Sequence, residues 1–465
     1  MLKIGGQKVP TRTLLLVLCD AAMMLIGLLV GTALRFHNAR MIYSYIQHPS
    51  TPYRVAWVVL TCVCALYYSD LYDSRVFNHS REMALSMLQA LGAACLVLAV
   101  LYYIDPDHSL GRGIAVLSAP VILLLLLSWR LLAGASSVAL HYPENMLILG
   151  TSPGGVELVR EILQRPELNL SVAGFLDENG QDIGKSLVNP RIIGAVADVE
   201  RIAREKKIDR VVLALKERRG QTPIKALLHL KFAGVGVEDI HTFNERITGR
   251  IVLEHLSPSW LILSGGFRKS TVMLAAKRAT DILVSAVGLL LTWPIFFLIA
   301  LAVWLESGLP IFFVQERVGL KGHSFGLLKF RSMRQDAEAN GPQWATSDDN
   351  RVTPIGRFLR KTRLDELPQL WNVFRGEMSL VGPRPERPFF CQLLEEKIPL
   401  YALRHSVRPG ITGWAQVKYQ YGSSVEDAKA KLEYDFFYIK HVSPLLDFVI
   451  LFETAKVVLR RRGAK

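Results

Sequence analysis

The first third of the chain alternates long apolar segments with short polar connections. Each segment approaches the ~20 consecutive apolar residues that a helix needs to cross a bilayer. The pattern therefore predicts a four-helix transmembrane bundle over residues 1–142. The predicted spans are Thr13–Phe36, Tyr53–Leu71, Met83–Ile104 and Ile114–Leu132.

One acidic residue, Asp20, lies inside the first apolar segment. An ionised side chain is costly at membrane depth, so it is expected to be buried against a partner on a neighbouring helix, with a functional role as the alternative. Lys3, Lys8 and Arg12 favour a cytoplasmic N-terminus, although basic residues in the next loop weaken the contrast. An even number of spans would return the chain to that same side.

The pattern changes at Asn145, where short buried-strand sequences begin to alternate with helical ones. The strands are "NMLILG", "SVAGFLDE" and "DRVVLAL". This alternation predicts a Rossmann-like α/β domain with a parallel sheet over residues 143–250. Its glycines are spaced G-x-x-x-G-G rather than G-x-G-x-x-G, so a structural or regulatory domain is favoured over a nucleotide-binding one. Both readings stay open.

A linker over residues 251–270 leads to a fifth apolar run, Ile282–Leu305. Pro294 lies at its middle, where it removes a backbone hydrogen bond and kinks a helix. Basic residues flank both ends of the run, which favours a re-entrant helix (about 279–306) that enters and leaves on one membrane face. A plain membrane crossing is the alternative.

The last segment, residues 271–465, is predicted to be a mainly helical catalytic domain that contains this re-entrant helix. It ends on "SPLLDFVILFETAKVVLRRR", where charged residues interrupt large apolar ones. This pattern predicts a C-terminal amphipathic helix on the membrane surface. The whole chain is thus expected to be a membrane protein of mixed α and α/β class.

The composition fits this division. Half of the 465 residues are hydrophobic, 21% are charged, and the formal net charge of +14 favours anionic partners such as phosphates or acidic lipids. The five cysteines form no metal-binding pattern. Nucleic acid is not an expected partner, because no base-stacking or groove-reading module is present.

Two adjacent carboxylates, Asp365 and Glu366, stand among arginines in the predicted catalytic domain. On a helix they would point about 100° apart, so one could attack a phosphorus atom while the other assists. Guanidinium groups match phosphate oxygens, and ordered Pro/Gly loops could fix them. The alternative is an acidic helix start with surface ion pairs.

Several ordered motifs of this region resemble one enzyme family. They are "KRATDILVSAVGLLLTWP", "VQERVGLKGHSFGLLKFRSM", "GRFLRKTRLDELPQLWNVFRGEMSLVGPRPE", "RPGITGWAQV" and "KLEYDFFYIKHVSPLLDFVIL". Together they resemble the bacterial sugar transferases, the polyprenyl-phosphate hexose-1-phosphate transferases or monotopic phosphoglycosyl transferases. The four preceding spans and the Rossmann-like domain resemble the large, exopolysaccharide-type form of that family.

The resemblance implies a reaction and a set of roles. A UDP-sugar would give its sugar-1-phosphate to polyprenyl (undecaprenyl) phosphate and release UMP, as the first membrane step of exopolysaccharide, capsule or O-antigen synthesis. Asp365 would be the nucleophile, Glu366 its partner acid, and both would hold Mg²⁺. The expected phosphate-binding residues are Lys329, Arg331, Arg360, Arg384 and Arg408.

The resemblance also implies a bacterial inner (cytoplasmic) membrane location with the catalytic domain on the cytoplasmic face, and a homodimer. Two positions depart from the family pattern. Trp293–Pro294 replaces Ser-Pro at the helix break, and "KYQYG" from Lys418 replaces N-G-R-N, which removes an arginine that Lys418 could substitute. The sugar is not identified, and glucose or galactose is the expectation.

Two rival functions explain less of the sequence. A membrane-tethered nucleotide-sugar dehydratase would need a dinucleotide glycine motif and a Tyr-x-x-x-Lys pair, and the sequence contains no tyrosine with a lysine four residues later. A lipid-binding scaffold would explain the positive charge but not the ordered acid and arginine motifs.

Overall fold

A computed structural model describes most of the chain. The described residues are 2–4, 7–9, 11–69, 71–72, 80–106, 109–137, 143–215, 223–254, 264–267, 269–334, 337, 351–419, 422 and 424–459. Apart from the first seven residues, the chain divides into two compact units, residues 8–238 and 239–465. Two three-residue strands, β1 (Leu2–Ile4) and β2 (Gln7–Val9), open the chain.

The first unit begins with a helical bundle. Its helices are α1 (Thr11–Phe36), α2 (Ala39–Gln47), α3 (Thr51–Tyr68), α4 (Ser80–Ile104) and α5 (Arg112–Ser137). Within the described part of the chain, four helical segments are long and apolar enough to cross a membrane. They are Leu14–Phe36, Met83–Ile104, Arg112–Leu132 and Thr271–Ser307.

Three of these segments coincide with predicted spans of the N-terminal bundle. The span predicted at Tyr53–Leu71 is not among the four. Its helix, α3, has only 18 residues, or about 27 Å of length, and carries Arg54 in its first turn. That length lies near the lower end of the range for a spanning helix, about 17–25 residues, so this span stays a prediction. The helix nevertheless packs in the bundle, with Val58, Cys62 and Leu66 buried.

Asp20 is completely buried in the bundle and pairs with Arg130 of α5, which is also completely buried. The Arg130 guanidinium lies 5.0 Å above the ring of Tyr72 and donates to the carbonyl of Leu71. The prediction of a buried acid paired with a neighbouring helix is therefore confirmed. Such a pair needs every hydrogen bond, because either charge alone would be costly in this setting.

The α/β part of the first unit is built on a five-stranded sheet. Its elements are β3 (Glu144–Leu149), α6 (Pro153–Leu163), β4 (Leu170–Asp177), β5 (Ile192–Ala195), α7 (Val199–Glu205), β6 (Arg210–Leu213), α8 (Ile224–Phe232) and β7 (Gly236–Asp239). The strand order is β5-β4-β3-β6-β7, and β3 runs parallel to both β4 and β6. This is the order of a doubly wound sheet.

The glycine turn after β3 is closely packed. A Cβ on Gly150, whose φ is +108°, would lie 2.4 Å from the carbonyl oxygen of Ala214. The carboxylate of Asp177, at the end of β4, accepts hydrogen bonds from the backbone N–H of Gln181 at 2.9 Å and of Asp182 at 3.4 Å. These contacts favour a structural role for the acid, and nucleotide binding here stays a prediction.

The second unit contains the predicted catalytic domain. It begins with α9 (Ile240–Thr248) and the 37-residue helix α10 (Thr271–Ser307). The remaining elements are β8 (Phe312–Val318), β9 (Ser324–Phe330), α11 (Pro354–Thr362), α12 (Gln369–Arg375), β10 (Ser379–Val381), α13 (Pro388–Lys397), β11 (Gly410–Thr412), α14 (Trp414–Lys418), α15 (Val425–His441) and α16 (Pro444–Leu459). Strands β8 and β9 form an antiparallel hairpin, and β10 pairs with β11 in parallel.

Helix α10 is longer than the predicted 279–306 and continues through Pro294. Before Pro294, the Asp281 carboxylate accepts hydrogen bonds from Ser379 Oγ and the Leu380 N–H. After Pro294, the helix packs Ile299 and Val303 into a cluster with Phe330 and Leu359. Both halves therefore lie against the same unit, while the re-entrant course itself stays a prediction.

The C-terminal helix α16 packs into the core of its unit along one side, and its predicted amphipathic course on the membrane surface stays a prediction. Leu446 and Ile450 are buried in the core of the unit, whereas Leu445 and Phe448 are exposed, so apolar residues cover both faces. Asp447 does not face solvent, because it pairs with Lys277 at 2.6 Å. The predicted basic end at residues 460–462 lies outside the described residues.

Candidate active site

Asp365 and Glu366 lie in a single 3-10 turn, Leu364–Glu366, between α11 and α12. Arg363 ends α11 with a left-handed backbone, φ +59° and ψ +16°, which turns the chain sharply into the acids. Pro368 immediately precedes α12, a position at which proline favours the start of a helix. The two carboxylates are therefore presented by a tight turn rather than by the face of a long helix.

Glu366 is held by cations. Its Oε1 atom lies 2.9 Å from Arg384 Nη2, 3.6 Å from Lys329 Nζ and 3.7 Å from Arg363 Nη1. Burial acts to raise the pKa of this carboxyl, but the three cations outweigh burial and lower the pKa to about 2. Glu366 is therefore ionised throughout the physiological pH range.

Asp365 has a different environment. The residue is only 6% exposed, and its Oδ1 atom has no hydrogen-bond partner among the described residues. Burial raises the pKa of Asp365, the negative charge of Glu366 adds to the rise, and Lys329, Arg360 and Arg363 oppose it. Desolvation therefore outweighs the neighbouring cations at Asp365. Glu366 is therefore paired with cations, whereas Asp365 keeps one oxygen without a hydrogen-bond partner among the described residues.

Lys329 comes to the acids from strand β9. Burial lowers the pKa of its ammonium group, while the charges of Glu366 and Asp365 raise it. Arg360 acts on Asp365 electrostatically, and its Nε donates a 3.0 Å hydrogen bond to Ser332 Oγ. The structure thus brings Lys329, Arg360 and Arg384 together at the acids, and it adds Arg363, which the sequence interpretation did not select.

The loop that carries Arg384 is fixed by backbone contacts. Gly382 N–H donates to the Thr412 carbonyl, and Gly410 N–H donates to the Pro383 carbonyl, both at 2.9 Å. A Cβ on Gly382 would lie 2.3 Å from the carbonyl oxygen of Arg408, so only glycine allows this close approach. The paired loops therefore hold Arg384 in one position.

Two further arginines complete this support, and sequence reasoning missed both. Arg404 Nη2 donates to the Arg384 carbonyl at 3.0 Å and to Asp435 Oδ2 at 2.9 Å. Arg317 Nη1 donates to the Pro385 carbonyl at 3.0 Å. Arg404 is almost fully buried. Arg404 lies within the motif "RHSVRPG" and Arg317 within "VQERVG", but the sequence does not show which carbonyl each guanidinium contacts.

Two predicted phosphate-binding arginines are engaged elsewhere. Arg331 Nη2 donates to the carbonyls of Ser307 and Gly308 at the end of α10, and its Nε and Nη1 have no partner among the described residues. Arg408 Nε donates to the Gly376 carbonyl at 3.0 Å, next to the end of α12. Both satisfy carbonyls at helix ends, where cations are favoured.

Lys418 also lies in a different environment from the acids. Its ammonium group is 4.7 Å from the centre of the Trp414 ring. Burial lowers the pKa of Lys418, Glu453 of α16 raises it, and Lys456 lowers it. Residues 420 and 421 of the departing "KYQYG" stretch lie outside the described residues, so its substitution for the missing arginine stays a prediction.

One atom of the acid pair, Asp365 Oδ1, is suited to bind a divalent cation. Asp365 Oδ1 is a buried oxygen without a hydrogen-bond partner in the described structure, which is the kind of oxygen that Mg²⁺ binds. No group of three or more His, Cys, Asp or Glu side chains suited to a metal occurs among the described residues. Mg²⁺ held by Asp365 and Glu366 would therefore take its other ligands from phosphate and water.

The acid pair lies within a region that matches a known family. The family model described as bacterial sugar transferase matches residues 272–461, and one described as CoA-binding domain matches residues 68–231. An undecaprenyl-phosphate glucose phosphotransferase from Komagataeibacter xylinus is 30% identical over 483 residues, which cover 92% of this chain and 88% of the relative.

Two further relatives carry related names. A UDP-glucose:undecaprenyl-phosphate glucose-1-phosphate transferase from Klebsiella pneumoniae is 34% identical over 337 residues, 70% of each chain. A UDP-N-acetylgalactosamine-undecaprenyl-phosphate N-acetylgalactosaminephosphotransferase from Aeromonas hydrophila is 41% identical over 239 residues. That match covers 51% of this chain and 56% of the relative, just over half its length. Because the similarity to the Komagataeibacter protein extends over nearly the whole of both chains, the protein belongs to the bacterial sugar transferase family.

Proposed function

We propose that the protein transfers a sugar-1-phosphate from a UDP-sugar to undecaprenyl phosphate and releases UMP, with Asp365 as the covalent nucleophile. The observation that carries the proposal is the contrast within the acid pair. Glu366 is surrounded by Arg384, Lys329 and Arg363, whereas Asp365 keeps a buried oxygen without a hydrogen-bond partner among the described residues. An attacking carboxylate needs such an oxygen.

The reaction balances in two steps. An Asp365 oxygen attacks the phosphorus that bears the sugar, and the bond from that phosphorus to the UMP oxygen breaks, with the electron pair leaving on UMP. A phosphate oxygen of undecaprenyl phosphate then attacks the same phosphorus, and the bond to Asp365 breaks to restore the carboxylate. No ATP enters, because one phosphoanhydride replaces another.

The basic residues have separate tasks in this proposal. Lys329 and Arg384, already within 3.6 Å and 2.9 Å of Glu366 Oε1, would neutralise the oxygens of the transferred phosphate. Arg404 and Arg317 would keep the Arg384 loop in place through its carbonyls. Bound Mg²⁺ would supply further charge neutralisation at the phosphates. Activity should therefore be lost in excess chelator and return with added Mg²⁺; full activity in chelator would contradict a metal role.

The proposed acceptor is a lipid, so the site must lie at a membrane surface. Helix α10 contacts its own unit on both sides of Pro294, through Asp281 before it and Ile299 after it. These contacts support a re-entrant helix. We further propose that this helix places the acids at headgroup level on the cytoplasmic face of the bacterial inner membrane. Cysteines placed at Ser270 and Ser324 should react with a membrane-impermeant reagent from the same side, and opposite-side labelling would contradict this course.

The direct test is incubation of the purified protein in nanodiscs with undecaprenyl phosphate and a panel of UDP-sugars, including UDP-glucose, UDP-galactose and UDP-N-acetylgalactosamine. The expected result is continuous UMP release only when both substrates are present, at most about one UMP per enzyme molecule without undecaprenyl phosphate, and no UMP from Asp365→Asn. Turnover retained by Asp365→Asn protein that is free of deamidation would remove the covalent mechanism. The panel also identifies the sugar.

A further inference from the structure

Three cations converge on one oxygen of Glu366. Arg384 and Lys329 come from a loop and a strand, whereas Arg363 comes from the turn that carries the acids themselves. Arg363 Nη1 lies 3.7 Å from Glu366 Oε1, and its charge lowers the pKa of both carboxyls. Arg363 is therefore part of the same electrostatic group as the two phosphate-binding cations.

The backbone of Arg363 is in a conformation that does not favour arginine. Its φ of +59° is left-handed, a conformation that is strained for a residue with a Cβ and unstrained for glycine. The turn needs this conformation, because Arg363 N–H donates to the Arg360 carbonyl and the Arg363 carbonyl accepts from Glu366 N–H. Glycine would satisfy these bonds with less strain, so the arginine side chain is the feature to explain.

The side chain can reach both the carboxylate and a ligand. It is 32% exposed, while the Glu366 side chain beside it is only 12% exposed. Carboxylate and phosphate oxygens are similar acceptors for a guanidinium fork. Glu366 therefore holds Arg363 in an orientation in which an entering phosphate can take up part of the same interaction.

We propose that Arg363 is a third donor-phosphate ligand of this site, held ready by Glu366; the proposal rests on the proposed function. Arg363 contacts the diphosphate of the UDP-sugar. When the bond between the sugar-bearing phosphorus and the UMP oxygen breaks, the electron pair moves onto UMP, and Arg363 neutralises part of the charge that develops there.

The test uses the full-length protein in nanodiscs and compares Arg363→Gly with Arg363→Ala. Both variants remove the guanidinium, but Arg363→Gly also relieves the left-handed backbone, so it should melt at the same or a higher temperature than Arg363→Ala. Loss of one charge-assisted hydrogen bond should lower kcat/KM for the UDP-sugar about ten- to a hundredfold in both variants.

Lys361→Ala is the matched control. Lys361 is an exposed cation two residues away on α11, so its removal changes the charge but not the contacts of the acids, and donor kinetics should stay near wild type. Arg363→Lys should recover part of the loss. Wild-type donor kcat/KM in Arg363→Gly, or a defect confined to the acceptor KM, would overturn the proposal.

The proposal and the proposed function fail in different ways. If the wild type releases no UMP with any sugar in the panel, the proposed function fails. Titration of UDP into wild type and Arg363→Gly, followed by calorimetry, then still tests the phosphate contact. A UDP Kd that rises about tenfold or more in the variant supports the contact, and an equal Kd overturns it.

Discussion

Replacement of Glu366 by glutamine should destabilise the catalytic unit in a pH-dependent way. The three cations around Glu366 lower its pKa from the ordinary 4.5 to about 2. The difference of about 2.5 pKa units corresponds to about 3 kcal/mol of interaction with the ionised form. Because the folded-state pKa is depressed, this stabilisation is fully present above pH 4.5 and is lost as the pH falls through 2.

The assay is thermal unfolding of wild type and Glu366→Gln in the same nanodiscs. For a unit of this size, about 3 kcal/mol corresponds to roughly 6–12 °C in Tm at pH 7. The Tm difference should shrink by about half near pH 3. Glu316→Gln is the control, because Glu316 is exposed on β8 and its removal should change stability by less than about 0.5 kcal/mol.

Two outcomes would refute this reasoning. An equal Tm for Glu366→Gln and wild type at pH 7 would mean that the interactions between the Glu366 carboxylate and the three cations do not stabilise the unit. A difference that stays constant down to pH 3 would mean that the loss comes from packing rather than from the charge of Glu366. Either result would also remove the basis for regarding Glu366 as the residue that orders the cations.

Three other predictions follow from buried ion pairs and from the acid pair. Arg404→Leu should cost about 3–5 kcal/mol of stability because it leaves the buried Asp435 unpaired, and it should lower kcat/KM because it releases the Arg384 loop. The double variant Arg404→Leu with Asp435→Leu should recover Tm but not UMP release. Recovery of both would argue against a positioning role for Arg404. Asp20→Asn should destabilise the bundle by about 3–5 kcal/mol because Arg130 loses its partner; Asp20→Leu with Arg130→Leu should restore Tm, and an unchanged Tm in the single variant would contradict the pairing. The pKa of Asp365 is raised from 3.8, and an attacking carboxylate must be ionised. The pH profile of kcat/KM for the UDP-sugar should therefore fall on its acid side at a pH above 3.8. A fall that occurs only at or below pH 3.8 would show that desolvation does not act on Asp365.

The sequence predicted what depends on local pattern. Apolar runs located helices of the bundle, and strand–helix alternation predicted the parallel sheet. The helix α3, Thr51–Tyr68, lies at the second predicted span, and its crossing of the membrane stays a prediction. The strand order β5-β4-β3-β6-β7 could not be read from the chain, because neighbours in this sheet are set by packing rather than by spacing.

The candidate site shows the same limit. The adjacency of Asp365 and Glu366 was visible in the sequence, but their different environments arise from residues about 18 and 37 positions away, Arg384 and Lys329. The sequence does not show whether an arginine contacts a phosphate, a carboxylate or a helix-end carbonyl. Arg331 and Arg408 donate to helix-end carbonyls. Arg363 and Arg404 were missed because their roles depend on a left-handed turn and on a buried carbonyl contact.

The central claim is that Asp365 carries the sugar-phosphate between the two half-reactions. The most direct measurement is peptide mass spectrometry after incubation with the accepted UDP-sugar in the absence of undecaprenyl phosphate. A peptide that contains Asp365 should carry the added mass of the sugar-phosphate. This modification should disappear when the lipid acceptor is supplied and should be absent in Asp365→Asn. An active enzyme in which the modification maps to another residue would contradict it.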